Sequence, residues 1–228
     1  MVVEKIPKEW YSGHRGRLRK KFLEDKISES ELLELLLTYA IPRVDVKPLV
    51  RHLLMKFGNV HEVTMASIRD LCAFHGLKIN TAVFLKLIHK VVLLDYKHHL
   101  SENPLFNDIK KLENYCLLLL MNKKQEEFHV LYLDKNKRLL LDEVHSVGTV
   151  DNVGVYPREV LHRALEVNAN FVLLVHNHPD GNRFFSEQDI SVTMEIINVL
   201  HSTKIEVIDH FLVSDGMIFS ASSSHLLR

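Results

Sequence analysis

Two histidines separated by one residue, His176 and His178, are the strongest chemical signal in this chain. They follow an apolar run, residues 171–175, of the kind that forms a buried strand. Alternate residues of a strand face the same side, so both imidazoles can reach one point. Asp189 lies near the start of a predicted helix, and its carboxylate can supply a third ligand. Three protein ligands with one open position are typical of a catalytic zinc site, so we expect one Zn²⁺ per chain.

Some of these residues also fit simpler structural roles. Ser186 and Asp189 precede an apolar-periodic segment and have the spacing of a capping box, and residues 179–182 form a common turn sequence. The two interpretations of Asp189 are compatible, because a carboxylate held by a helix N-terminus can still direct one oxygen to a metal. Asp209 and His210, at the end of a predicted strand, either support a metal-bound histidine or form a structural polar pair.

The string His-x-His-x7-Ser-x2-Asp resembles the signature of the JAMM (MPN+) metalloproteases, and the surrounding sequence resembles bacterial RadC proteins. The resemblance extends over nearly the whole chain. The segments that carry it most clearly are residues 13–19, 31–43, 148–149, 156–160, 176–179 and 208–210. It implies a zinc-dependent peptidase or isopeptidase that acts on a protein or peptide substrate, with His176, His178 and Asp189 as ligands. Asp180 departs from the pattern, since the family usually carries Ser after His-Asn-His-Pro.

The resemblance also implies two catalytic residues. JAMM proteins use a glutamate from an earlier strand as the base, and RadC-like sequences carry it as Glu-x-Phe, which matches Glu126-Glu127-Phe128. Strand alternation places Glu126 on the side of the phenylalanine, so we predict Glu126 as the general base. Both glutamates could instead be solvated charges at the start of a strand. Ser186 would donate a hydrogen bond to the developing oxyanion.

Length and charge predict two domains. The chain has 228 residues, of which 46% are hydrophobic and 25% charged, as in ordinary globular proteins. Residues 1–100 contain 17 Lys and Arg against 11 Asp and Glu, whereas residues 101–228 contain 12 against 18. This asymmetry predicts units with different partners. We place a helical domain at residues 1–100 and a second domain at 105–228, with the boundary at residues 101–104.

The first domain suggests an alternative function. Its predicted helices lie at residues 28–41, 45–57, 66–74 and 80–96. The turn at 74–78 resembles a helix-hairpin-helix unit without its Gly-x-Gly, and a plain αα-hairpin explains it equally. A basic cluster could neutralise phosphates or simply form a solvated helix face; it consists of Arg15, Arg17, Arg19, Lys20 and Lys21. Non-specific nucleic-acid binding by residues 1–100, as in a DNA repair or recombination factor, is therefore the second hypothesis.

The second half alternates helices and strands. Helices are predicted at 107–121, with Asn107 as its cap, 158–167 and 190–201, and strands at 128–133, 138–145, 171–175, 205–213 and 217–221. The predicted fold class is α/β, of the α+β type, with a helical domain followed by a mixed sheet flanked by helices. The resemblance implies a JAMM/MPN domain, similar in layout to cytidine deaminases.

The two cysteines, Cys72 and Cys116, form no C-x-x-C pair, which argues against zinc-deaminase chemistry. We predict that both are buried, reduced thiols. The first ten residues lack the apolar segment of a signal peptide, and no apolar run approaches the roughly 18 residues that span a bilayer. We expect a cytoplasmic protein without membrane contact. The substrate and the oligomeric state stay open.

Overall fold

The computed structural model describes residues 12–121, 123–148 and 154–226. Thr149, part of the RadC-like sequence, lies outside them. The chain divides into two compact units between Lys90 and Val91. This division falls inside one continuous helix, whereas the sequence places the domain boundary at residues 101–104. The helix carries buried residues of two different cores, which include Leu85 before the division and Leu100 after it.

The first unit is helical. Its helices are α1 (Gly13–Leu23), α2 (Glu29–Ala40), α3 (Lys47–Phe57), α4 (Val60–Met65), α5 (Ile68–Cys72) and the first part of α6 (Ile79–Glu102). A capping box starts α2, where Ser28 accepts a hydrogen bond from the backbone N–H of Glu31. The sequence does not predict α4, because it is short and rich in β-branched residues. Capping by Asn59 and complete burial of Val63 stabilise this helix instead.

The second unit contains the sheet. After a short 3₁₀ turn at Leu105–Asn107 its elements are α7 (Ile109–Leu120), β1 (Glu126–Leu133), β2 (Leu139–Gly148), α8 (Pro157–Glu166), β3 (Phe171–Asn177), α9 (Glu187–His201), β4 (Glu206–Ser214) and β5 (Met217–Ser220). The predicted cap at Asn107 is wrong by one residue. Asp108 caps α7, because its side chain accepts from the backbone N–H of Lys111.

The five strands form one mixed sheet in the order β2-β1-β3-β4-β5. Neighbours are antiparallel except β3 and β4, which are parallel and are connected through α9. One face of the sheet packs on α7, with Leu131 and Val175 in the shared core. The other face packs on α8 and α9, with Val130 and Leu174 in theirs. The predicted α+β class and mixed sheet are therefore confirmed.

Two further expectations concern the cysteines and membrane-spanning segments. Cys116 is buried as predicted, but Cys72 is exposed, because it ends the short helix α5 beside the turn that leads to α6. Among the described residues, no helix is both long and apolar enough to cross a membrane.

Candidate metal centre

The end of β3 brings the two histidines together. His176 pairs with Leu212 of β4, and the backbone N–H of His178 donates to the carbonyl of Val213, which prolongs the extended pairing past the end of β3. Both rings therefore leave the same face, and their Nε2 atoms lie 3.1 Å apart. His176 is fully buried and His178 half-buried.

Asp189 reaches this pair from the first turn of α9. One of its oxygens, Oδ2, accepts hydrogen bonds from the backbone N–H and the hydroxyl of Ser186, at 2.6 and 2.7 Å. The other oxygen, Oδ1, lies 3.4 Å from His176 Nε2. Asp189 is thus part of a capping box and also lies beside the two histidines. Burial raises the pKa of Asp189, but the neighbouring His176 and His178 lower that pKa more, so the carboxylate is ionised.

The three groups fit a metal ion by their spacing. Around a tetrahedral zinc with bonds of about 2.0–2.1 Å, ligand atoms lie roughly 3.3 Å from one another. The distance between the two histidine Nε2 atoms is 3.1 Å. His176 Nε2 lies 3.4 Å from Oδ1 of Asp189, and His178 Nε2 lies 3.4 Å from its Oδ2. With Glu126 included, four ligand atoms lie within 4.8 Å of one another. A single metal ion can contact atoms that lie this close together.

The protonation states of the two histidines are also compatible with the binding of a cation. His178 Nδ1 lies 3.1 Å from the carbonyl oxygen of Asn182, which can only accept, so Nδ1 carries a proton and Nε2 presents a lone pair when the ring is neutral. Burial lowers the pKa of His178, but its hydrogen bond to Asp189 and the charge of that carboxylate outweigh burial and raise it. Burial lowers the pKa of His176. A neutral imidazole nitrogen and an ionised carboxylate are both groups that can bind a cation.

Glu126, at the start of β1, is the fourth member of the cluster. It is buried, and burial together with the charge of Asp189 raises its pKa. Glu127 faces the opposite side of the strand, where it lies 2.8 Å from Lys123 Nζ and 3.2 Å from His129 Nε2. Of the two glutamates, the structure therefore brings only Glu126 to the histidines.

A cavity of about 80 Å³ opens beside the cluster. Its polar wall includes Glu126, His178 and Ser186, and its apolar wall includes Val155 and Val192. Asp180, the departure from the family pattern, also lines this cavity and contributes to the raised pKa of Glu126. The unusual aspartate thus adds negative charge beside the candidate base.

Two residues of the site, Thr193 and Asn177, have contacts that the sequence did not predict, and a third, His210, contacts His176 as in one of the two roles left open for it. His210 and Thr193 form a buried chain of contacts behind His176. Asn177, between the two histidines, bonds the backbone of β1 on both sides of Glu126. For His210, the sequence signal was its position next to Asp209 at the end of a predicted strand. For Thr193 and Asn177, the sequence offered only a polar residue inside an apolar segment.

The basic cluster on α1 is partly engaged within its own unit. Arg15 donates to the carbonyl of Val44, at 2.9 Å. Lys20 lies 3.7 Å from a carboxylate oxygen of Glu24, and Lys21 lies 2.5 Å from one of Glu31. The two carboxylates offset part of the positive charge of the cluster. Nucleic-acid binding by this domain stays a prediction.

Comparison with known proteins places this chain beside a described family and its relatives. The family described as RadC-like JAB domain matches residues 106–226 of this chain. A UPF0758 protein of Fusobacterium nucleatum subsp. nucleatum is 38% identical over 218 residues, which covers 91% of this chain and 94% of that protein. The family match includes β1, β3 and α9, the elements that carry the metal-centre residues.

Proposed function

The chain belongs to the RadC family, and we propose that it is a zinc-dependent hydrolase that cleaves peptide or isopeptide bonds. JAB domains are typically metal-dependent hydrolases. The observation that carries the proposal is the convergence of Glu126, His176, His178 and Asp189, with ligand atoms within 4.8 Å of one another. Two imidazoles and one carboxylate are a donor set found in catalytic zinc sites.

In this proposal His176, His178 and Asp189 hold the ion. When bound, Zn²⁺ would act as a Lewis acid toward the scissile carbonyl and lower the pKa of a coordinated water to about 7. The distances among these side chains are close to those expected around a zinc ion, which supports the proposal. The cavity beside them leaves the fourth side open to a substrate.

Glu126 is the proposed general base. Its carboxylate takes a proton from the attacking water and passes it to the leaving nitrogen, which breaks the amide bond and releases an amine. Efficient acid–base groups have a pKa near the working pH, and the pKa of Glu126 is raised in that direction by burial and by Asp189. A raised pKa favours uptake of the proton by Glu126.

Ser186 has two roles in the proposal. Its hydroxyl donates to Asp189 Oδ2 in this structure, so it orients a ligand. A serine hydroxyl has a single proton. Donation to the oxyanion therefore requires this hydroxyl to rotate away from Asp189 during the reaction.

The test combines metal analysis with hydrolysis. Protein purified without chelator is expected to contain about one zinc per chain, and to cleave members of a panel of peptide and isopeptide substrates in a chelator-sensitive way. Glu126→Gln keeps the size of the side chain but cannot accept a proton, so zinc should remain while the rate falls by about 10²–10⁴-fold. Glu127→Gln is the matched control and should keep both. A wild-type protein without metal, or a fully active Glu126→Gln variant, would contradict the proposal.

A further inference from the structure

His210 lies between His176 and Thr193 in the interior behind the metal centre. Its Nε2 is 2.8 Å from His176 Nδ1, and its Nδ1 is 2.7 Å from Thr193 Oγ1. The hydroxyl of Thr193 is in turn 2.5 Å from the backbone carbonyl oxygen of Asp189. His176 and His210 are fully buried, and Thr193 is 2% exposed. These contacts, which we call the relay, join two of the proposed ligands without solvent.

The direction of hydrogen-bond donation along the relay follows from its last acceptor, the backbone carbonyl oxygen of Asp189. A carbonyl oxygen can only accept, so the hydroxyl of Thr193 donates to Asp189. Since that proton is used, Thr193 Oγ1 accepts from Nδ1–H of His210. His210 is fully buried, and neither of its ring-nitrogen partners, His176 and Thr193, is an acid, so burial favours the neutral ring, in which Nε2 is unprotonated. This Nε2 accepts from Nδ1–H of His176, which leaves a lone pair on Nε2 of His176.

We propose that Thr193 and His210 are positioning residues that fix the tautomer of His176 and so make it a metal ligand. With the relay reversed, Thr193 would donate to His210, and a proton would move to Nε2 of His176, where no lone pair would remain. A second group that holds the other nitrogen of a ligating histidine typically adds 10–100-fold in metal affinity. The inference rests on the proposed metal centre and deepens it.

The first experiment observes the tautomers directly. Zinc-loaded protein labelled with ¹⁵N in histidine is studied by long-range ¹H–¹⁵N correlation. The expected result is that His210 is protonated on Nδ1 alone, while Nδ1 of His176 carries a proton protected from exchange. If His210 is protonated on Nε2, or on both nitrogens, the proposed direction is wrong.

The second experiment separates the hydroxyl from packing. Thr193→Val keeps the shape of the side chain and removes the hydroxyl, whereas Thr193→Ser keeps the hydroxyl. Zinc affinity is measured by competition with a chromophoric chelator. Thr193→Val should bind zinc 10–100-fold more weakly, on the order of the effect expected for such a supporting group, and Thr193→Ser should bind close to wild type. An equal loss in both variants would mean that packing matters and the hydroxyl does not.

These outcomes distinguish the two proposals. A wild-type protein that binds no zinc overturns the metal centre itself. Zinc binding by wild type and by Thr193→Val with equal affinity overturns the relay and leaves the metal centre standing. Should Thr193→Val fail to fold, the tautomers in the wild-type protein still decide the question.

Discussion

The side-chain oxygen of Asn177 accepts a hydrogen bond from the backbone N–H of Glu127, at 2.8 Å. Its side-chain nitrogen donates to the backbone carbonyl of Gln125, at 3.2 Å. One buried amide therefore holds the chain on both sides of Glu126. Because Asn177 lies between the two histidines, the same residue fixes the distance between the candidate base and the candidate ligands.

Replacing Asn177 should make the position of Glu126 less rigid without removing a proposed metal ligand. Asn177→Ala leaves the N–H of Glu127 without its acceptor, so we expect the free energy of unfolding to fall by about 1–3 kcal/mol. Zinc content should persist, while hydrolysis should fall. Asn80→Ala, at an exposed position of α6, is the control and should stay within about 0.5 kcal/mol of wild type. Urea unfolding and metal analysis of both variants check this prediction, and wild-type stability in Asn177→Ala would contradict it.

Zinc should stabilise the fold through the two histidines. An ion that binds only the folded state adds about 2.7 kcal/mol when its concentration is 100 times its Kd. Thermal unfolding should therefore shift upward with added Zn²⁺ and downward with chelator in the wild-type protein. The double variant His176→Ala/His178→Ala should show neither shift. A control that removes two exposed imidazoles, His52→Ala/His98→Ala, should respond to zinc like wild type. A zinc response that survives in the first variant would place the ion elsewhere.

A buried acid on the opposite face of the sheet should make stability depend on pH. Asp142 lies 3.0 Å from His129 Nδ1 and accepts from the hydroxyl of Tyr115. Burial raises the pKa of Asp142, but the hydrogen bonds to His129 and Tyr115 outweigh burial, and that pKa is lowered below 3.8. A lowered pKa in the folded state stabilises the fold above pH 3.8, and this stability is lost as the pH falls through the lowered pKa.

The corresponding variant is Asp142→Asn. It should reduce the free energy of unfolding at pH 7 by about 1–3 kcal/mol, because the charged acceptor is lost from a buried network. The difference from wild type should shrink as the pH falls through the lowered pKa. Asp95→Asn changes an exposed acid and should show little effect at any pH. The measurement is denaturant unfolding across the acid range, and a difference that grows on acidification would contradict the assignment.

Local signals predicted the parts of the site that are local in sequence. The alternation that places His176 and His178 on one face needs only their own strand, and the Ser186–Asp189 capping box needs only four residues. Glu126 is preferred to Glu127 because RadC-like sequences carry Glu-x-Phe, and strand alternation places Glu126 on the side of Phe128. In each case the information lies within a few residues of the side chain.

The position of His210 could not be predicted in this way. It contacts His176 across the parallel pair β3 and β4, and the pairing shifts register between Val172 and Leu173. Because of this shift, Val207 packs in the core beneath α8 and α9, while His210, three residues later, contacts Phe128 of that same core. Regular alternation would put these two residues on opposite faces. The irregularity arises from tertiary pairing, which the strand sequence alone does not reveal.

The described part of the chain contains two capping boxes, and they allow capping to be separated from catalysis. Ser186 caps α9 beside the metal centre, and Ser28 caps α2 in the helical unit. Loss of an N-cap hydroxyl typically costs about 0.5–2 kcal/mol. Ser186→Ala and Ser28→Ala should therefore lower the free energy of unfolding by similar amounts.

Only the first variant should affect the site. In Ser186→Ala, Asp189 loses the hydroxyl that orients its Oδ2, and the proposed oxyanion donor disappears, so hydrolysis should fall and zinc should bind more weakly. Ser28→Ala should keep wild-type zinc affinity and activity, because its partner Glu31 belongs to the other unit. Unfolding, chelator competition and hydrolysis are measured on both variants. If Ser186→Ala loses stability but keeps wild-type zinc affinity and full activity, Ser186 is a helix cap and has no further role.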